Sequence, residues 1–174
     1  MTNLPKVLVA IPAYNEEECI EGTILELKRV APEFDFVVIN DGSRDCTLEL
    51  CTNLGCNVIN MLINCGLTVG FQTAACYALE NDYDYMVQFD ADGQHRPEFI
   101  SELVSKAQFD NADIVIGSRF LSMRKDMSMR MFGSRMITFL IKMLTGKRIS
   151  DPTSGFRLFN RDVLKEYSCN DTLN

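Results

Sequence analysis

The chain has 174 residues, 47% of them hydrophobic, enough for one domain with a sizeable core, and a formal net charge of −7. That acidity, with no interleaving of aromatic and basic residues, argues against a nucleic-acid partner. The most apolar stretch, near Met136–Leu144, is short and broken by Lys142, and the N-terminus shows no basic-then-apolar leader, so a cytoplasmic single domain over 1–174 is expected.

In chain order, Val7 to Ile11 is a continuous apolar run of the buried-strand type, and Asn15-Glu16-Glu17-Glu18 opens a helical pattern of Ile20, Ile24, Leu27 and Val30 that Pro32 stops. Phe34 to Ile39 forms a second strand, Asn40 to Ser43 a turn, and the next helix runs through Leu54. A third strand over 57–61 precedes a helix from Gly66 to Leu79. Asp84 to Phe89 is a fourth strand, Pro97 to Lys106 a helix, and Ile114 to Ile116 a fifth strand. Strands alternating with helices at this spacing predict an α/β sandwich with a mainly parallel sheet. Residues 127–144 read as an apolar helix punctuated by cations, suited either to covering the sheet or to lying in a membrane interface.

The charge is unevenly spread. Residues 1–118 hold 6 Lys and Arg against 19 Asp and Glu, whereas residues 119–161 hold 10 against 2. The later segment therefore suits an anionic partner: a diphosphate, a lipid phosphate or a membrane surface. The seven cysteines are odd in number and form no Cys-x-x-Cys pair, so they read as reduced, mostly buried thiols and support neither a zinc site nor a disulfide framework.

The most informative segment is Val87-Gln88-Phe89-Asp90-Ala91-Asp92-Gly93-Gln94-His95, a strand running into two carboxylates and a glycine. Strand geometry sends residues i and i+2 to one side, and hard oxygen donors suit Mg²⁺ or Mn²⁺. A solvated turn accounts for the same residues taken alone. In parallel sheets, however, ligands bind beyond the carboxyl ends of the strands, where 12–16, 40–45, 90–95 and 117–120 all fall. The first strand is followed by Pro-Ala-Tyr-Asn-Glu and not by Gly-x-Gly-x-x-Gly, and no phosphate-binding P-loop is present. Charge compensation for a bound phosphate then falls to a metal and to side-chain cations.

Six pieces in order carry a resemblance: Ile11-Pro12-Ala13-Tyr14-Asn15-Glu16-Glu17, Asp41-Gly42-Ser43-Arg44-Asp45-Cys46-Thr47, Asn64-x-Gly66, Asp90-Ala91-Asp92-Gly93-Gln94-His95, Gly117-Ser118-Arg119-Phe120 and Asp151-Pro152-Thr153-Ser154-Gly155-Phe156-Arg157. With these the chain resembles the family 2 glycosyltransferases of the GT-A fold, a Rossmann-like three-layer sandwich, and in particular the branch that moves a sugar from a nucleotide to a polyprenyl phosphate. The resemblance implies that Pro12, Ala13, Tyr14 and Glu16 line the nucleotide pocket, that Asp41 contacts the base, and that Asp90 and Asp92 hold Mg²⁺ or Mn²⁺ with Gln94 as a third oxygen ligand. It implies a role for Arg119 at the diphosphate or acceptor phosphate, shared by Arg130 or Arg135, and an acceptor-side role for Asp151, as a general base or an orienting group. His95, the only histidine, reads as a residue that shapes the loop.

The implied partners are a nucleotide-sugar donor, UDP-sugar or GDP-mannose, and a lipid-phosphate acceptor met at the inner face of the membrane. Asn40 stands where many relatives carry a second aspartate, Thr68 and Val69 stand in a loop often richer in glycine, and the chain ends soon after Arg161, where relatives commonly continue. A nucleotide-sugar-binding module that needs a partner or a C-terminal extension is an alternative. A nucleotidyltransferase is another, disfavoured by the missing glycine-rich loop.

Overall fold

Val, Ile and Leu dominate the first two strands because both faces of a parallel sheet are covered, so the apolar pattern is continuous and not alternating. In the computed structural model, which describes residues 4–93, 95–117 and 154–168, the strands are β1 (Val7–Ala13), β2 (Asp35–Asp41), β3 (Val58–Met61), β4 (Tyr85–Gln88), β5 (Ile114–Ile116) and β6 (Arg157–Asn160). The helices are α1 (Ile20–Val30), α2 (Thr47–Asn53), α3 (Leu67–Glu80), α4 (Ile100–Asp110) and α5 (Arg161–Ser168), with a short 3-10 turn at Pro97–Phe99 leading into α4. The sheet order is β3-β2-β1-β4-β6-β5. Strands β1 to β4 are parallel, and β6 runs antiparallel between β4 and β5.

Alternate residues of each strand serve different layers. Val9, Ile11, Val38, Val87 and Leu158 pack with Ile24, Leu27, Ile100 and Val104 of α1 and α4. Leu8, Ala10, Val37, Ile39, Met86 and Phe159 pack with Ala74, Ala75 and Ala78 of α3 and Leu164 of α5. The result is a three-layer sandwich, as expected.

Both β2 and β4 flank β1, so chain order reverses between β1 and β4. Open parallel sheets bind ligands at such a switch point, outside the carboxyl ends of the strands. Here those ends release the loops at Tyr14 and at Asp90.

Several boundaries differ from the sequence reading. The first helix begins at Ile20 and not at Asn15; the amides of Cys19 and Ile20 both return to the Glu16 carbonyl, making 16–19 a turn. The fourth strand ends at Gln88, so Asp90 and Asp92 sit in the turn beyond it and are not on one strand face. Thr68 and Val69 belong to the first turn of α3 and not to a loop; Gly66, at φ +86°, precedes that helix in a conformation that favours glycine. The cysteines are not mostly buried. Cys51 is, but Cys46, Cys65 and Cys76 are exposed and Cys19 and Cys56 lie between. Burial pushes the Cys51 thiol up to about 11. Neither β6 nor α5 was expected. The apolar helix over 127–144 lies outside the described residues, among which no helix is long and apolar enough to cross a membrane.

Candidate functional site

A cleft of about 350 Å³ opens at the switch point, and Pro12, Ala13, Tyr14, Glu16, Asp41, Asp90 and Asp92 all line it. Seven of the residues singled out from the sequence, drawn from the carboxyl ends of β1, β2 and β4 and the loops that follow them, thus share one cavity. Asn64, Gly66, Leu67 and Gly70 complete the wall next to Asp41. Gln94, Arg119, Arg130, Arg135 and Asp151 lie outside the described residues.

The β1–α1 loop is tied to the β2–α2 loop by reciprocal bonds. The Asn15 amide donates to Ser43 Oγ, and the Arg44 amide donates to Asn15 Oδ1. The Glu16 amide donates to Thr47 Oγ1 at 2.8 Å, while that hydroxyl donates to Asp45 Oδ1 at 2.6 Å. The Glu17 amide reaches Asp45 Oδ2, and the Cys46 amide reaches Glu17 Oε2. This latch holds Tyr14 and Glu16 at the cleft wall. Thr47 is fully buried. Thr47→Val strands the Glu16 amide and should lower stability by about 1–3 kcal/mol while weakening nucleotide binding, as read by denaturant unfolding and titration.

On the opposite wall Asp41, almost fully buried, accepts from the amides of Cys65 (2.7 Å) and Gly66 (2.8 Å), one on each oxygen. The carboxylate therefore orders the turn before α3. Each oxygen keeps a further lone pair that a ligand can use.

Asp90 is half-buried and Asp92 exposed. His95 Nε2 lies 2.9 Å from Asp90 Oδ2 and the ring is buried, stacked on Phe156 at 5.2 Å. The turn is fixed on its other side by Thr23, whose hydroxyl donates to the Ala91 carbonyl at 2.8 Å. His95 is thus packed and paired, matching the loop-shaping reading.

Carboxylates crowd this cleft. Burial, first, and then the charges of Asp92, Asp45 and Asp90 raise the Glu16 carboxyl above its usual range. Asp45 moves the other way: its desolvation is outweighed by bonds from the Thr47 hydroxyl and the amides of Thr47 and Glu17, which hold it below the usual range. The signs oppose. Asp45 contributes stability that is present above its unfolded pKa and lost as pH falls through its lowered folded one. Glu16 carries a cost that is absent while it is protonated and develops as pH rises from its unfolded value to its raised folded one. Glu16→Gln should therefore raise the melting temperature at pH 7 in EDTA, and Asp45→Asn should flatten the loss of stability on the acid side; thermal melts across pH 3–8 check both.

None of the described residues lining the cleft is cationic. Among the described residues no group of three His, Cys, Asp or Glu gathers as a metal cage. Two carboxylates at an open cleft still fit Mg²⁺ or Mn²⁺, which bind through one or two carboxylates and leave room for substrate phosphates and water. Of the basic later segment, Arg157 Nε donates to the Ser154 carbonyl, and Arg161 donates to the carbonyls of Tyr83 and Leu79 and pairs with Asp82. Those two cations bind the fold together.

One contact was missed in the sequence. Gly155 passes so close to Asp90 that a Cβ there would lie 2.6 Å from the carboxylate carbon. The glycine in Asp151-Pro152-Thr153-Ser154-Gly155 was the available signal, but nothing in the spacing joins it to a turn some sixty residues earlier.

The geometry agrees with what the chain is similar to. The family model described as "Glycosyl transferase family 2" matches residues 8–168. Polyprenol monophosphomannose synthase of Mycolicibacterium smegmatis is 30% identical over 92% of this chain and 64% of its own length. Undecaprenyl-phosphate mannosyltransferase of Micrococcus luteus is 30% identical over 92% of this chain and 68% of its own. Among solved structures, glucosyl-3-phosphoglycerate synthase of Mycobacterium tuberculosis, in complex with Mn²⁺, UDP-glucose and phosphoglyceric acid, superimposes with a TM-score of 0.74 at 20% identity, covering 91% of this chain and 57% of that one. This last likeness shows the GT-A fold, and the chain spans about two thirds of the two curated relatives. Since the family model runs from β1 into α5 and so takes in every loop of the cleft, the chain belongs to glycosyl transferase family 2.

Proposed function

We infer that the chain is the catalytic domain of an inverting glycosyltransferase that moves a hexose from a nucleoside diphosphate sugar to a polyprenyl phosphate with the help of Mg²⁺ or Mn²⁺. The observation that carries this reading is a cleft at the switch point lined by Glu16, Asp41, Asp90 and Asp92, hard oxygen donors suited to a divalent cation that also takes substrate phosphates. The named acceptors of the two curated relatives, and the Mn²⁺ and UDP-glucose bound by the solved synthase, support the same chemistry here.

In this reading Tyr14, partly exposed at the wall, packs against the base or ribose, and Glu16 and Asp41 accept hydrogen bonds from the nucleoside. Asp90 and Asp92 hold the cation, which when bound supplies Lewis-acid stabilisation of the charge gathering on the diphosphate. An oxygen of the acceptor phosphate attacks the anomeric carbon from the face opposite the diphosphate. The bond from that carbon to the diphosphate oxygen breaks, and its electron pair leaves with the nucleoside diphosphate. The acceptor is already an anion, so little deprotonation is needed and Asp151 orients more than it takes a proton. Arg119, with Arg130 or Arg135, is assigned to the phosphates by the resemblance, as is Gln94 to the metal.

The test is a transfer assay with radiolabelled UDP-glucose or GDP-mannose and a detergent-solubilised polyprenyl phosphate. The expected result is label passing into the organic phase with one equivalent of nucleoside diphosphate released. Release of pyrophosphate from a nucleoside triphosphate, with no transfer, would point to a nucleotidyltransferase instead.

A further inference from the structure

We propose that His95, Phe156 and Gly155 act together as a bracket that sets the Asp90 carboxylate for metal binding, making them positioning residues that act through Asp90 on a metal they do not touch. The proposal rests on the reading of Asp90 as a metal ligand. It adds that the segment 154–156, far away in sequence, is part of how that ligand is aimed.

Three contacts build the bracket. His95 Nε2 meets Asp90 Oδ2 at 2.9 Å, so one carboxylate oxygen is fixed by a ring. The ring cannot turn freely: it stacks on Phe156 with planes 23° apart and meets Phe89 edge-on at 5.6 Å. Gly155 passes over the same carboxylate, because a Cβ there would fall nearest Oδ2, the oxygen His95 meets, and 2.6 Å from both Cγ and Oδ1 of Asp90. Its φ is not positive, so the requirement for glycine at this position is the close approach and not the backbone conformation.

The segment itself is anchored. Ser154, fully buried, donates its hydroxyl to the Gly117 carbonyl at 2.7 Å and accepts from the Phe156 amide, and the Gly117 amide donates to the Phe156 carbonyl at 2.8 Å. Phe156 leads directly into β6, which pairs with β4 through Gln88↔Arg157. The antiparallel return strand thus delivers glycine and phenylalanine to the turn that leaves β4. Outer partners of this kind orient a ligand, and their loss typically weakens metal affinity about 10- to 100-fold.

The test measures Mn²⁺ binding by the loss of the free-ion EPR signal, with UDP or with GDP present, for the unaltered chain and for His95→Phe, His95→Gln, Gly155→Ala and Asp92→Ala, each with its thermal melt. His95→Phe keeps a ring for Phe156 but removes the bond to Asp90; it should weaken Mn²⁺ binding about tenfold or more. His95→Gln retains a donor and should recover most of the affinity, a pattern that loss of packing alone would not produce. Gly155→Ala, which leaves His95 intact, should weaken binding to a similar degree and serves if His95→Phe does not fold. If the unaltered chain binds Mn²⁺ and Asp92→Ala does not, while folded His95→Phe or Gly155→Ala binds normally, the bracket is overturned and the metal site stands. If the unaltered chain takes up no Mn²⁺ with either nucleotide, the metal reading itself falls.

Discussion

Asp92→Ala is expected to lower sugar transfer about a hundredfold or more while leaving the thermal melt nearly unchanged. The loss follows from removing one contact that stabilises charge on the leaving diphosphate, a change on the order of 3 kcal/mol in the barrier. Stability should hold because Asp92 is exposed in a turn, where substitutions commonly shift it by about 0.5 kcal/mol or less. There is also a gain to offset any loss, since Asp92 is the foremost of the charges raising Glu16. The Glu16 carboxyl should therefore titrate closer to its usual range in the variant, which a carbon-detected NMR titration would read. Full activity in Asp92→Ala, or unfolding in place of inactivation, would remove this residue from the proposed chemistry.

Gly42→Ala carries the largest expected cost to the fold and the cleft together. Gly42 sits at φ +67°, where an L residue pays about 1–2 kcal/mol for the left-handed conformation alone. The added Cβ would also lie 2.5 Å from the Ile63 carbonyl carbon and 2.6 Å from the Asn64 nitrogen. Both are backbone atoms, so the strand-end loop must move as a unit. That loop is the one whose Cys65 and Gly66 amides Asp41 holds, and Asn64 and Gly66 line the cleft. The variant should melt several degrees lower and lose most of its nucleotide affinity; calorimetric melting and nucleotide titration check the two effects. Retained affinity in a destabilised but folded Gly42→Ala would mean that the 63–66 loop does not shape the nucleotide pocket.

The sequence made the first two thirds of the sandwich readable because β1, β2 and β4 lie in largely apolar runs with polar or glycine-bearing loops after them. The cleft was readable for the same reason: Tyr14, Asp41 and Asp90 each follow such a run, and parallel strands put all their carboxyl ends on one side. What escaped was short or non-local. Strand β6 has four residues, with Leu158 buried on one face and Phe159 on the other, too few for any period to stand out. Helix α5 did leave a signal, Asn160 at its start accepting from the Val163 amide with Asp162 in the first turn. The helix expected from Asn15 starts at Ile20 because Asn15 takes a left-handed φ of +55°, outside the helical region, in a loop whose Asn15, Glu16 and Glu17 amides are held by Ser43, Thr47 and Asp45. The contact between Gly155 and Asp90 exists only after β6 has paired with β4. No local pattern could reveal it.

The most direct measurement of the central claim is calorimetric titration of the chain with UDP-glucose and with GDP-mannose, each in Mn²⁺ and in EDTA, with Asp92→Ala alongside. The predicted result is binding of one donor that requires the cation and is lost in the variant, which would also name the nucleotide. Donor binding that is equally tight in EDTA, or unaffected by the loss of Asp92, would contradict a cation-bridged diphosphate in this cleft.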